Sequence, residues 1–162
     1  MAMAMMGWLL AIPVLGTMTG LRTFTPITVA CWFAYLGYLP VEGTWAAWAG
    51  KLVSVAIFTL MAVGELVVDK LPKTPNRTDP GPLLARLVFG GLVGAIAATG
   101  VSGSAFEGVF LGAIGALLGA FGGYLVRKYL VQWSDRPDWN LAVIEDISAV
   151  VITIFSLAVI TG

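Results

Sequence analysis

Apolar stretches of about twenty residues recur along the chain, separated by short segments rich in Gly, Pro and charge, and that is the length an α-helix needs to cross a bilayer. Lipid cannot satisfy an open sheet edge, so helices are the expected elements. Four spans read clearly, at about Trp48 to Leu71, Leu83 to Thr99, Phe106 to Val131 and Leu141 to Ile160. With 59% hydrophobic and 11% charged residues and a mean hydropathy of +0.92, the chain is too apolar for a soluble domain of its length, which excludes a water-soluble enzyme.

The 9 basic and 9 acidic residues cancel and form no basic tail, so no nucleic-acid partner is expected. There is no His and one Cys, which removes the usual zinc, copper and haem ligands, an intrachain disulfide, and Ser-His-Asp or Cys-His catalysis. Cys31 lies in an apolar run and reads as a small packed hydrophobe.

The first apolar region, about Met5 to Tyr38, is too long for one straight span. Gly20-Leu21-Arg22-Thr23-Phe24-Thr25-Pro26 is where it should break, because Gly and Pro loosen the backbone ladder and Arg22 is costly in hydrocarbon. A kinked single span would give five helices with the N-terminus inside; a re-entrant pair of half-helices would leave the N-terminus outside. Met1 to Thr19 has no Lys or Arg, so a cleaved leader is not expected. Lys70, Lys73, Arg77 and Arg86 flank one turn and Arg127, Lys128 and Arg136 another, against Lys51 alone on the opposite side. The basic turns should therefore be cytoplasmic, in a bacterial inner membrane, with the C-terminus outside.

The expected fold is an all-α integral membrane protein: one transmembrane domain over 1–162, of about five helices. It divides into a broken or re-entrant first region at 5–38, a helical hairpin at 48–99 and a second at 106–160. Sliding the chain by about 59 positions aligns Gly64 with Gly123, Leu71 with Leu130, Arg77 with Arg136 and Asp79 with Asp138, which reads as a duplicated hairpin. The same alignment sets Asp69 opposite Lys128 and Arg86 opposite Glu145, so the two copies are expected to neutralise one another across their interface.

Glu65 and Asp69 share a helix face, with Arg86 at similar depth on the next helix. Ionisable groups within spans usually mark an ion or substrate path. The candidate solute or ion ligands are thus Arg22, Glu65, Asp69, Lys70, Arg86, Arg127, Glu145 and Asp146; structural ion pairing is the competing reading. Glu65, Asp69, Glu145 and Asp146 would also suit a hard divalent cation, and no other cofactor is evident. Gly108-Gly112, Gly115-Gly119-Gly123 and Gly90-Gly94 recur at four-residue spacing, which lets helix backbones approach, either within one subunit or in a homo-oligomer.

Three segments, Gly20-Leu21-Arg22-x-Phe24-x-Pro26, Gly64-Glu65-x3-Asp69-Lys70-x-Pro72-x2-Pro75-x-Arg77-Thr78 and Leu84-x-Arg86-x3-Gly90, resemble a family of small bacterial inner-membrane proteins known only as a domain of unknown function. The resemblance covers most of the chain and implies a compact all-helical membrane fold without an assigned substrate. Pro72 and Pro75 would stop the helix and stiffen a cytoplasmic turn, with Arg77 and Thr78 bonding its open carbonyls. Acids at the C-terminal end of that helix oppose its macrodipole and need another explanation. The leading expectation is a small transporter or channel-like permease with a charged cavity for a small ionic solute. The alternative is a non-catalytic scaffold or assembly factor acting through the glycine faces, and a metal-dependent enzyme on lipid head groups ranks below both for want of a complete motif.

Overall fold

A computed structural model describes the backbone at 2–69, 78–133 and 138–162, and side chains at 7–69, 78–130 and 142–162. Its regular elements are all helices, without a strand among these residues. The elements are α1 (Ala2–Leu21), α2 (Thr25–Tyr35), a 3-10 helix (Trp45–Gly50), α3 (Leu52–Val68), α4 (Pro80–Gly100), α5 (Ala105–Trp133) and α6 (Asp138–Thr161). The expected break in the first region falls at 22–24. Pro26 sits in the first turn of α2, where its missing N–H costs nothing. Gly37, at φ +81, ends α2, with the Gly37 and Tyr38 amides donating back to the Ala34 and Phe33 carbonyls at 3.2 and 2.9 Å. The span expected from Trp48 instead begins with the 3-10 helix, and extended backbone at Lys51 separates it from α3.

The direction of each helix follows from its contacts. Gly16 and Gly20 of α1 lie against Gly112 and Ala116 of α5, in rising order along both chains, so α1 and α5 run parallel. Gly90 and Gly94 of α4 meet Gly112 and Gly108, so α4 and α5 are antiparallel. Trp8, at the start of α1, packs on Gly103 in the α4–α5 turn. Beyond α2, Leu39 packs on Gly100, and Trp45 Nε1 donates to Thr99 Oγ1 at 3.0 Å. Both arms of α1–α2 thus start and finish at the α4–α5 turn, and the hairpin is re-entrant: of the two alternatives left by the sequence, the single kinked span is not the one adopted.

The tip of this hairpin lies deep in the bundle. Arg86, which touches it, stands about 21 Å along α4 from Gly100 at the α-helical rise, leaving roughly a third of that helix beyond. A returning α1–α2 followed by four helices of alternating direction predicts both ends of the chain on one side of the membrane. A reporter active in only one compartment should therefore give the same signal at either terminus; opposite signals would contradict a re-entrant hairpin.

Among the described residues three helices, α4, α5 and α6, are long and apolar enough to cross a membrane, and α3 and the 7–21 part of α1 are shorter apolar helices. Three long helices with shorter apolar ones beside them are the build of a membrane protein, and they do not by themselves fix the number of spans at five. Phe106, Phe110 and Leu118 of α5 and Ile154 and Phe155 of α6 are exposed, as side chains facing acyl chains are. The core instead gathers Ile12, Leu15, Ile27, Val93, Ile96 and Leu157 around the re-entrant hairpin.

Consecutive helices do not form the expected hairpins. Among the described residues α3 packs mainly on α2 and the 3-10 helix and meets α4 at the Phe58–Phe89 ring pair, and α6 packs on α1 and α2 rather than on α5. The dense seams are α4 with α5 and α1 with α5, where glycines bring backbones together. The α1–α2 hairpin lies between α5 and α6 and on the inner side of α3, which reaches α4 through Phe58 on Phe89.

Candidate functional site at the break between α1 and α2

A break in a helix exposes two sets of backbone groups, carbonyls at the end of α1 and amides at the start of α2, and in a membrane interior each must find a partner. Arg86 of α4 supplies one set: its Nη1 donates to the Gly20 carbonyl at 2.8 Å and to the Leu21 carbonyl at 3.3 Å. Glu65 of α3 supplies the other, its Oε1 accepting from the Thr23 amide at 2.7 Å and its Oε2 from the Phe24 amide at 2.9 Å. A cation thus sits at the negative end of α1 and an anion at the positive end of α2, each in the favourable macrodipole sense.

These contacts answer the question raised by acids near the end of α3. Glu65 belongs electrostatically to α2. Asp69, the residue at the α3 C-cap, is neutralised by Arg22.

Arg22 occupies the break itself and is 1% exposed, the largest fully buried side chain. Nη1 pairs with Asp69 of α3 and Nη2 with Asp146 of α6, so one guanidinium joins two helices that approach the hairpin from different sides. These are its ion pairs among the described residues, and its Nε has no hydrogen-bond partner there. A buried donor left without an acceptor costs about 1–3 kcal/mol, which makes Nε–H the unsettled point of the arrangement. Thr23 and Thr25 are also buried. Thr28, one turn on, donates to the Phe24 and Phe58 carbonyls at 2.7 and 2.8 Å and ties α2 to α3.

Of the residues singled out from sequence, Arg22, Glu65, Asp69, Arg86 and Asp146 converge on this break. Arg127 and Glu145 are half-buried on α5 and α6 and make no ion pair with Arg22. Asp69 pairs with Arg22, not with Lys128, which is exposed on α5, so the charge exchange expected between the two hairpin copies does not occur there. Lys70, Pro72, Pro75 and Arg77 lie outside the described residues; Thr78 is half-buried just before α4. Among the described residues no group of three or more acids comes together as a metal site. Thr23, Thr25 and the open amides and carbonyls at 20–24 were missed by a search for charged side chains. Counting the backbone groups that a Gly-to-Pro break must leave open would have found them.

The glycines are placed by close approach. A Cβ on Gly94 would stand 2.1 Å from the Gly108 carbonyl oxygen, on Gly112 2.1 Å from that of Gly90, on Gly115 2.2 Å from that of Pro13 and on Gly119 2.1 Å from that of Thr17. Gly90, Gly94, Gly108, Gly112, Gly115 and Gly119 therefore face helices of the same chain, while Gly123 lies further along α5.

Glu65→Gln tests the cap on α2. An amide offers one oxygen where the carboxylate offers two, so one of the Thr23 and Phe24 amides is left open. The variant should lose about 1–3 kcal/mol in detergent unfolding, with Glu65→Ala losing more. Equal stability of all three proteins would show that the amides find other acceptors.

No curated protein and no solved structure matches the chain. A family model does, over residues 9–159, and that stretch holds the break, both carboxylates that clamp Arg22 and the whole α4–α5 seam. The chain belongs to the family described as Domain of unknown function (DUF4126).

Proposed function

We propose that the protein is a small permease for an ionic solute, with its binding position at the break between α1 and α2. One observation carries this reading: a re-entrant helix pair ends deep in the bundle on a buried guanidinium clamped by carboxylates from two separate helices, α3 and α6. Half-helices that end within the membrane beside ionisable groups are how many transporters build a solute site, because the open backbone ends and the charges together replace the solute's hydration shell. Glu65 and Arg86 keep the break open by capping it, and Arg22 with Asp69 and Asp146 forms the part that can change partners. A solute reaching Arg22 competes with one of the two aspartates, and the released carboxylate takes up a proton or a cation as the coupling ion.

The basic turns between α3 and α4 and between α5 and α6 set the cytoplasmic side on this reading, in the inner membrane, with both termini outside. The break then lies in the inner third of the bilayer. The scaffold reading loses its main surface, since six of the seven proposed packing glycines are engaged within the chain.

Uptake into proteoliposomes of a panel of small labelled anions, cations and zwitterions tests the proposal. At least one should enter saturably, and Asp146→Asn should slow its initial uptake roughly tenfold or more, about the effect of losing one ion-pair contact. Uptake no faster than in empty liposomes for every member, or the same rate in the variant, would sink it.

A further inference from the structure

We propose that the outer face of the α2–α3 pair is a lipid contact surface, with acyl chains lying against Trp32 and Leu60 and phospholipid headgroups at Tyr35, Tyr38 and Trp45. This surface does not depend on the permease reading and goes beyond it.

A re-entrant arm is expected to be enclosed by protein, because non-helical backbone cannot be left in hydrocarbon. Here that demand falls on the break alone. The break is covered, with the Thr23 and Phe24 amides on Glu65 and the Gly20 and Leu21 carbonyls on Arg86. Beyond it α2 is regular helix, whose backbone groups bond internally, so its side away from the core can meet lipid. That side is apolar and open: Trp32 is 41% exposed, and Leu60 on the neighbouring α3 is 73% exposed. From residue 25 to residue 64 the charged residues are Glu42 and Lys51, and both belong to the open end of the hairpin, where Gly50 lies against the Ala34 carbonyl.

The indole nitrogens select the occupant. Trp32 Nε1 donates to Thr59 Oγ1 at 3.2 Å and Trp45 Nε1 to Thr99 Oγ1 at 3.0 Å, although both rings are exposed. An indole in water or among headgroups finds acceptors there, whereas one in hydrocarbon must be given an acceptor by its own chain or leave a donor open. Helical side chains lean toward the N-terminus, so Trp32 points back toward the deep end of α2, and Thr59 lies eight residues, about 12 Å, along α3 from Lys51. A second copy of the chain is the other candidate to cover an apolar face, but its interface would carry a polar rim, and here the two indole donors are used within the chain.

Tyr35, Tyr38 and Trp45 are exposed at the open end, and amphipathic rings of this kind settle at the headgroup layer. The opposite boundary agrees with that level. On α5, Arg127 follows Phe106 by 21 residues, about 32 Å at the helical rise, close to the ~30 Å of a hydrocarbon core. Arg86 stands 13 residues before Thr99, so the break lies about 20 Å beneath the aromatic collar.

Spin labels on Leu36→Cys and Leu60→Cys, each in the Cys31→Ala protein in vesicles of phosphatidylcholine and phosphatidylglycerol, test the surface. At position 60 oxygen should reach the label roughly tenfold or more as effectively as a water-soluble nickel chelate, because hydrocarbon excludes a polar chelate. At position 36, beside the collar, the two should differ much less. Lipid brominated midway along its chains should also quench a larger fraction of the fluorescence of the wild-type protein than of Trp32→Phe. A label at position 60 shielded from both reagents would mean that protein covers the face, and ready access of the chelate would mean that water does. Either result overturns the proposal, as does equal quenching of the wild type and Trp32→Phe. Solute uptake is a separate readout: uptake with a shielded face keeps the permease reading and removes the lipid surface, and a lipid-exposed face without uptake does the reverse.

Discussion

Arg22→Met should destabilise the protein by about 3–5 kcal/mol, because it leaves the Asp69 and Asp146 carboxylates facing one another without their cation. The loss comes from breaking a buried charge network and not from the net worth of that network. A buried ion cluster gains little over apolar groups of the same size, whereas removing one member strands the rest. Adding Asp69→Asn and Asp146→Asn to Arg22→Met should therefore restore most of the loss, and unfolding in detergent followed by tryptophan fluorescence measures both. A triple variant as unstable as the single one would mean that the guanidinium holds the fold by its packing and not by its charge.

The second large effect is expected at the α4–α5 seam. Gly112→Ala puts a methyl group 2.1 Å from the Gly90 carbonyl oxygen and 3.2 Å from the Gly94 Cα, and backbone in a helix cannot swing aside as a side chain can. The helices must separate, and since Gly112 also lies against Gly16 of α1, the disturbance reaches the arm that carries the break. Overpacking of this kind costs about 3 kcal/mol or more where the obstacle is backbone. Gly122→Ala on the same helix meets nothing within 4 Å, and should be neutral or gain up to about 1 kcal/mol from helix propensity. Size-exclusion profiles and melting curves of the pair would separate seam packing from propensity. If both variants behave alike, close backbone approach is not what these glycines provide. A bulky residue at Gly119 should likewise damage the subunit itself rather than only detach one copy from another, since a Cβ there stands 2.1 Å from the Thr17 carbonyl oxygen.

Much of this organisation was legible in the sequence, for definable reasons. The Gly20 to Pro26 break was visible because Gly, Arg and Pro each carry a local cost in an apolar helix, and costs of that kind need no knowledge of partners. The limits of α4, α5 and α6 followed from the lengths of their apolar runs. Helix direction is different: an apolar run reads the same inward or outward, and it is contacts such as Trp8 on Gly103 and Leu39 on Gly100 that make α1–α2 a returning pair. Packing order was hidden for a related reason. Sequence neighbours were paired into hairpins because short turns favour adjacent antiparallel helices, but the hairpin that lies between α5 and α6 comes from the start of the chain. The charge partners were the least legible part. Glu65 and Asp69 were recognised as misplaced for their own helix, yet their ligands, the amides at 23 and 24 and the guanidinium at 22, lie more than forty residues away. The apparent repeat supplied a nearer answer for Asp69, Lys128, and the structure does not adopt it.

On the permease reading the break is a station on a solute path and not a sealed structural core. The chain has one cysteine, Cys31, which is buried, so Cys31→Ala gives a background in which a single introduced thiol can be followed. In that background Thr25→Cys, in sealed vesicles of either orientation, should react with a membrane-impermeant thiol reagent from at least one side. Ser104→Cys, in the exposed α4–α5 turn, serves as the positive control. Labelling at position 25 is the predicted result. A thiol there that stays inert from both sides, in protein that is folded and labelled at position 104, would contradict the account and make the buried charges a device of stability alone.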